Sequence, residues 1–216
     1  MEANFIGGHP MTGSEKTGIL SATNTLLENA YYIITPTALT PKEEISEFRD
    51  FVLSLGAIPL ILDYKIHDYS TAAISHLPHM IAYSLVNLVR QIDDDKETMK
   101  TIAAGGFKDI TRIASSSPVM WQNICASNRE PLLSLMDQYL ALLTKLRGYI
   151  DSSNEQALLS FFQQAKDYRD SITLPSVKSP TVYYECFVDL VDETGGIAAV
   201  AGLLAQYHIS CLLYTS

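Results

Sequence analysis

Apolar and polar positions along this chain fall into two regimes, and the first is short. Residues 30–35, Ala-Tyr-Tyr-Ile-Ile-Thr, form a β-branched and aromatic run closed by Pro36, the composition of a buried strand. Pro41-Lys-Glu-Glu follows, with proline in the first turn and acidic residues behind it, which marks a helix start. Ile45, Phe48, Val52 and Leu53 then recur at i, i+3, i+7 and i+8, one face of that helix. Gly56 ends it, and residues 58–62 supply another apolar strand. Strand, helix and strand in this order predict a parallel pair joined by a crossover helix. Phe5-Ile-Gly-Gly8 reads as the end of an earlier strand with nothing before it to pair with. Residues 1–66 therefore read as the tail of an α/β domain.

Beyond that point the period changes to helical, with stretches predicted at 70–93, 95–103, 107–126, 129–150 and 154–172. Asn128-Arg-Glu-Pro131 has the residues of a helix start. The helix behind it carries Leu132, Leu133, Leu135, Met136, Tyr139, Leu140, Leu142 and Leu143, an apolar face too wide for one neighbour. Either a partner subunit or a bundle within the chain would cover it. Residues 175–180 are a linker by composition. Past them, 182–191 is strand-like, Asp192-Glu-Thr-Gly-Gly196 is a turn, 197–207 is an amphipathic helix, and 208–210 begins a further strand. The fold class is thus mainly α with a small α/β part, in segments 1–66, 67–174 and 181–216.

Bulk composition narrows the partners. A chain of 216 residues with 47% hydrophobic residues can bury a core. The net charge of -9 opposes binding to a phosphate backbone, so no nucleic acid is expected. No apolar run approaches the roughly 20 residues of a membrane span, and there is no signal-peptide pattern. With Cys125, Cys186 and Cys211 few, odd in number and widely spaced, reduced thiols and a cytoplasmic setting are expected.

Three segments could carry chemistry. In Gly7-Gly-His-Pro-Met-Thr-Gly-Ser-Glu-Lys-Thr-Gly18, glycines surround one histidine and one glutamate, the composition of a structured loop. His9, steadied by Pro10, could act there as general base near neutral pH, or be incidental in a surface turn. His76 and His79, in Ser75-His-Leu-Pro-His-Met80, are three apart and share a helix face. No third ligand cluster accompanies them, so no metal is expected; one lining a pocket and one satisfied in helix packing is the simpler reading. Pro78 should kink or start a helix. In Gly105-Gly-Phe-Lys-Asp-Ile-Thr-Arg112, Lys108 and Arg112 lie four apart behind two glycines, suited to a carboxylate or to an ordinary charged face. Trp121, the single tryptophan, is by default core.

In order, these segments resemble the prephenate/arogenate dehydrogenase family: Gly8-His-Pro-Met-Thr-Gly-Ser-Glu15 its His-Pro-Met-Ala-Gly loop, Ser75-His-Leu-Pro-His79 its helical histidine motif, and Gly105–Arg112 its substrate-arginine motif. Thr12 stands where alanine is usual. The resemblance implies NAD(P)-dependent oxidation of prephenate with loss of CO2, giving 4-hydroxyphenylpyruvate, or of arogenate, giving tyrosine. It implies His9 as the base, Arg112 against a substrate carboxylate, and Glu15, His79, Trp121 and Lys108 around the pocket, with NAD as cofactor and NADP open.

It further implies that 1–66 is the remnant of a Rossmann-like nucleotide-binding domain and that 67–174 is a helical substrate and dimerisation domain, giving a homodimer. Residues 181–216 resemble part of an ACT module, which implies a tyrosine effector. No Gly-x-Gly-x-x-Gly occurs anywhere, so that fingerprint is expected upstream of Met1. Further ACT elements are expected beyond the C-terminal end, where 211–216 read as non-native. A non-catalytic amino-acid sensor and a broader β-hydroxyacid dehydrogenase are the competing readings.

Overall fold

The computed structural model describes residues 5–13, 19, 22–23, 25–172, 188 and 194–207. Contacts divide the chain into two units, residues 1–177 and 178–216.

The first unit opens with a three-stranded sheet in the order β1 (Ile6–Pro10), β2 (Tyr31–Pro36), β3 (Ile58–Ile61). β2 and β3 are parallel and joined by helix α1 (Lys42–Ser54), as the period of the sequence predicts. β1 runs antiparallel to β2 at the sheet edge, pairing His9 with Ile33 and Gly8 with Ile34. His9 therefore sits in a strand, where the glycines had suggested a loop. Gly7 and Gly8 are needed for packing: a Cβ on Gly7 would lie 2.3 Å from Thr35 Oγ1, and one on Gly8 2.8 Å from the Tyr32 ring.

Strand side chains alternate between faces, so Ile6, Tyr32 and Ile34 share one face of the sheet. That face meets α1 in a small core of Ile34, Val52 and Ala57, flanked by Phe48 and Tyr32. Leu53, expected on the same helix face, is 52% exposed. Gly56 ends α1 with φ of 76°, a left-handed conformation that costs glycine nothing. Ile33 and His9 look to the opposite face, toward the helices that follow.

Helix α2 (Tyr64–Thr71) begins six residues before the predicted 70, because the Asp63 carboxylate caps it by accepting from Lys65 N at 2.8 Å. It continues without a break through a π turn at Ala72–His76 into α3 (Leu77–Ile92). Leu77 N–H reaches back to Ala72 O, a π-type bond, immediately before Pro78, which has no N–H to donate. The proline thus marks a change of helical pitch. The continuous helix Tyr64–Ile92 is long and apolar enough to cross a membrane by length and composition, contrary to the expectation from apolar runs. It also carries Lys65, His67, Asp68, His76, His79 and Arg90, and packs against β2, α5 and α7.

Next come α4 (Thr98–Ile102), α5 (Gly105–Thr111) and a 3-10 turn at Arg112–Ser115. Ser117 caps α6 (Pro118–Ser127), so Pro118 starts a helix inside what had been read as one stretch from 107 to 126. Helices α7 (Arg129–Asp151) and α8 (Glu155–Ser171) form a hairpin. On α7, Leu132 and Leu135 are buried, whereas Leu133, Leu140, Leu142 and Leu143 are each more than 40% exposed. In the second unit, α9 (Gly196–Gln206) follows Gly195, whose φ is 95°. The strands predicted at 182–191 and 208–210, the linker 175–180, Cys186 and Cys211 lie outside the described residues.

Candidate functional site

The sheet and the long helix bring four histidines together. His9 emerges near the end of β1 on the face away from α1, and α2 crosses that face. His67, one turn into α2, meets it there: His9 Nδ1 lies 2.8 Å from His67 Nε2, the rings edge to face at 80°. On its far side His67 Nδ1 lies 2.9 Å from the Asp68 carboxylate. The His67 side chain is 16% exposed, whereas the Asp68 carboxylate at the end of the line is 47% exposed and in touch with solvent.

One helical stretch further, His79 stacks on Trp121 with ring centroids 3.8 Å apart, and His76 meets the same indole edge-on at 5.9 Å. The helix face shared by the two histidines is therefore real, and a tryptophan covers it. Trp121 is 6% exposed and its Nε1 is buried without a hydrogen-bond partner, as is Thr71 Oγ1. Carbonyl oxygens only accept, so the 2.8 Å contact to Ser75 O fixes a proton on His79 Nδ1; a neutral His79 then presents Nε2 as an acceptor.

Asn128 was read as a helix cap, yet its side chain crosses to the other elements. Its Nδ2 donates to Asp68 O at 2.8 Å and to His76 Nδ1 at 3.2 Å, tying α2 and the π turn to the α6–α7 junction.

Electrostatics disfavour the charged forms of His9 and His76. Burial disfavours the imidazolium of His9 and lowers its pKa, and the neighbouring His67 lowers it further. His76 is lowered by burial first, then by His79, His9 and His67, with Asp68 opposing. His76 thus lies within electrostatic reach of both His9 and His67.

The remaining candidates surround it unevenly. Arg112 opens the 3-10 turn and is exposed, and Lys108 is exposed on α5. Both elements pack on α3, and Tyr83 Oη on α3 donates to Ser116 O at 2.9 Å, holding the arginine segment to the helix that carries His79. Glu15 lies outside the described residues. A separate apolar cavity of about 390 Å³, lined by Val89, Met99, Ile102 and Phe107 among others, has no titratable lining side chain and cannot do this chemistry.

Sequence reading missed His67 and Asp68. The available signal was Asp63 as a cap, which would have placed both in the first turns of a helix. Together the cluster offers a shielded base, a backing carboxylate and an aromatic wall, fit for accepting a proton from an organic substrate.

Comparison with known proteins covers most of the chain. The family model for the prephenate dehydrogenase nucleotide-binding domain matches residues 1–59, and that for the prephenate dehydrogenase dimerization domain matches 63–164. Prephenate dehydrogenase of Bacillus subtilis is 38% identical over 206 residues, 95% of this chain and 56% of that protein. The Lactococcus lactis enzyme is 35% identical over 209 residues, 97% of this chain and 57% of its own. The chain thus spans just over half the length of these relatives. Among solved structures, prephenate dehydrogenase from Aquifex aeolicus in complex with hydroxyphenyl propionate and NAD+ superposes with a TM-score of 0.74 at 31% identity, covering 78% of this chain and 59% of that one. Synechocystis arogenate dehydrogenase gives 0.71 at 30%, covering 78% and 61%.

Proposed function

Because the chain belongs to the prephenate dehydrogenase family, we propose that it is the base-bearing and substrate-holding part of an enzyme that oxidatively decarboxylates prephenate to 4-hydroxyphenylpyruvate with NAD. The observation that supports the proposal is the contact of His9, lowered in pKa, with His67 on the same continuous helix that bears His79 and its stack on Trp121. His9 Nε2 takes the proton of the ring hydroxyl. Trp121 and His79 present a flat aromatic surface to the substrate ring and keep water from it. Arg112, and more loosely Lys108, supply positive charge for a substrate carboxylate, and Glu15, outside the described residues, is assigned to the same pocket. Arogenate, which keeps the ring and its hydroxyl, is the alternative substrate, supported by the likeness to the Synechocystis enzyme.

The dinucleotide's phosphates do not fit this chain's own residues. The sequence has no Gly-x-Gly-x-x-Gly, and α1, the crossover helix between the parallel strands, carries Glu43 and Glu44 in its first turn, where a phosphate would be repelled. NAD dependence in this reading rests on a nucleotide-binding half that these residues do not supply, with NADP open. The 216-residue chain by itself should show no NADH formation from prephenate.

Two further parts of the reading concern partners. We assign residues 67–174 to a homodimer, supported by the uncovered leucines of α7, and 181–216 to part of an ACT module that senses tyrosine, supported by α9 behind its Gly-Gly turn. Few and scattered cysteines accord with a cytoplasmic setting.

The test is His9→Asn in a protein carrying this chain behind a complete nucleotide-binding half. Loss of the base should cut kcat by about 10²–10⁴-fold with little change in substrate affinity. Unchanged kcat would remove His9 from the reaction.

A further inference from the structure

We propose that His67 and Asp68 are positioning residues that lock His9 in the tautomer carrying its proton on Nδ1, leaving Nε2 as the open lone pair. The inference rests on the reading of His9 as the base and names what makes it one.

Hydrogen-bond roles follow from the ends inward. A carboxylate only accepts, so the 2.9 Å contact with Asp68 Oδ1 puts a proton on His67 Nδ1. A neutral His67 then has a lone pair on Nε2. That nitrogen lies 2.8 Å from His9 Nδ1, which must therefore donate. His9, donating at Nδ1, keeps its lone pair on Nε2, the ring nitrogen turned away from His67. When His9 takes a proton at Nε2, the new positive charge is shared along a line that ends on the Asp68 carboxylate. The carboxylate stays ionised throughout, and within the line from His9 to Asp68 no N–H bond is broken; the proton gained at Nε2 is the one the substrate hydroxyl loses.

This order of roles holds only while His67 is neutral. A charged His67 would donate from Nε2 to His9 Nδ1 and push the His9 proton onto Nε2, where it would block the base. The groups facing the pair on α2, the π turn and α3 are Asp68, His76 and His79, and the charged form of His76 is itself disfavoured by burial and by the neighbouring histidines, against the opposing pull of Asp68. Asn128 grips the Asp68 carbonyl at 2.8 Å, so the backbone that carries the carboxylate is fixed from a third element.

Histidine ring-nitrogen NMR of the 216-residue chain at pH 7.5 tests this without turnover. The expected result is His9 with a protonated Nδ1 and a bare Nε2, and loss of that preference in both Asp68→Asn and His67→Phe. His9 protonated on Nε2 in the unsubstituted chain would overturn the inference, as would a His9 pattern indifferent to both substitutions. The unsubstituted spectrum is decisive even if a variant fails to fold. Turnover of the longer protein separates the two readings: Asp68→Asn should lower kcat at least tenfold with KM changed less than threefold. If His9→Asn abolishes turnover while Asp68→Asn and His67→Phe leave kcat within threefold, the base stands and the lock falls. If His9→Asn leaves turnover intact, the base reading fails, whichever tautomer the spectra show.

Discussion

A histidine can serve as a base only where its proton-free form is the populated one, and at His9 two physical effects favour that form. Burial penalises the imidazolium, and a nearby His67 penalises it again, so the pKa falls below the ordinary 6.5. The acid limb of kcat/KM in a protein carrying this chain should accordingly have its midpoint below pH 6.5, with activity kept as pH falls through the range where a free histidine would charge. The groups that could move this limb are His67, Asp68, His76 and His79. A midpoint at or above 6.5 would show that the cluster does not hold His9 neutral. His9, His79, Arg112, Lys108 and Trp121 could be picked out from the sequence because each stands in a short local pattern of glycine, proline or helical spacing. His67 could not, since its meaning lies in a contact with a residue 58 positions away. Nothing within a few residues of either histidine announces that contact.

At the scale of elements, the parts with a clean period were legible and those built by local chemistry were not. β2, α1 and β3 follow from one β-branched run, one apolar helix face and one glycine stop. The start of α2 is set instead by the Asp63 cap over Tyr-Lys-Ile-His, a stretch with no apolar stripe, so its first six residues were read as connection. The strand character of His9 was hidden by glycines that serve packing. Gly8→Ala tests that role. Its Cβ would meet the Tyr32 ring at 2.8 Å, and Tyr32 is already set edge to face against Phe48 at 6.0 Å. The overpacking should cost about 1–3 kcal/mol in urea unfolding. A change below about 0.5 kcal/mol would mean that Tyr32 swings away freely.

The pH dependence of stability belongs to this scale too, because the cluster joins β1 to α2 and α3. His9 and His76 both have folded pKa values below 6.5, so the unfolded chain binds more protons. Their contribution is complete above pH 6.5 and is lost as pH falls from there through the folded values. Asp94, lowered mainly by the backbone N–H of Thr98, acts in a separate window below 3.8. Urea midpoints should therefore already decline between pH 7 and 5.5, above any carboxylate effect, and His9→Asn with His76→Asn should flatten that decline.

For the whole molecule, the helical part leaves unanswered what covers α7. Its apolar face is too wide for its neighbours among the described residues: Leu132 and Leu135 are buried, while Leu140, at 57% exposed, and Leu143, at 41%, are not. Several such leucines on one helix exceed the scattered apolar exposure of an ordinary surface. The sequence left a partner subunit and an intrachain bundle equally open, and the structure removes part of that choice, because α8 packs along α7 without covering these positions. A second copy of the chain is the occupant that symmetry and the family's dimerization domain favour. Each buried leucine contributes about 1.5–3 kcal/mol, and a C2 interface counts every substitution twice. Leu140→Glu with Leu143→Glu should therefore weaken self-association by roughly 10⁴-fold or more, at about 1.4 kcal/mol per tenfold. Sedimentation equilibrium should then report a monomer at micromolar concentration, with the helical circular dichroism of the monomer kept because neither position is buried within the chain. A dimer undiminished by both charges would place the interface elsewhere and return α7 to the role of an unusually apolar free surface.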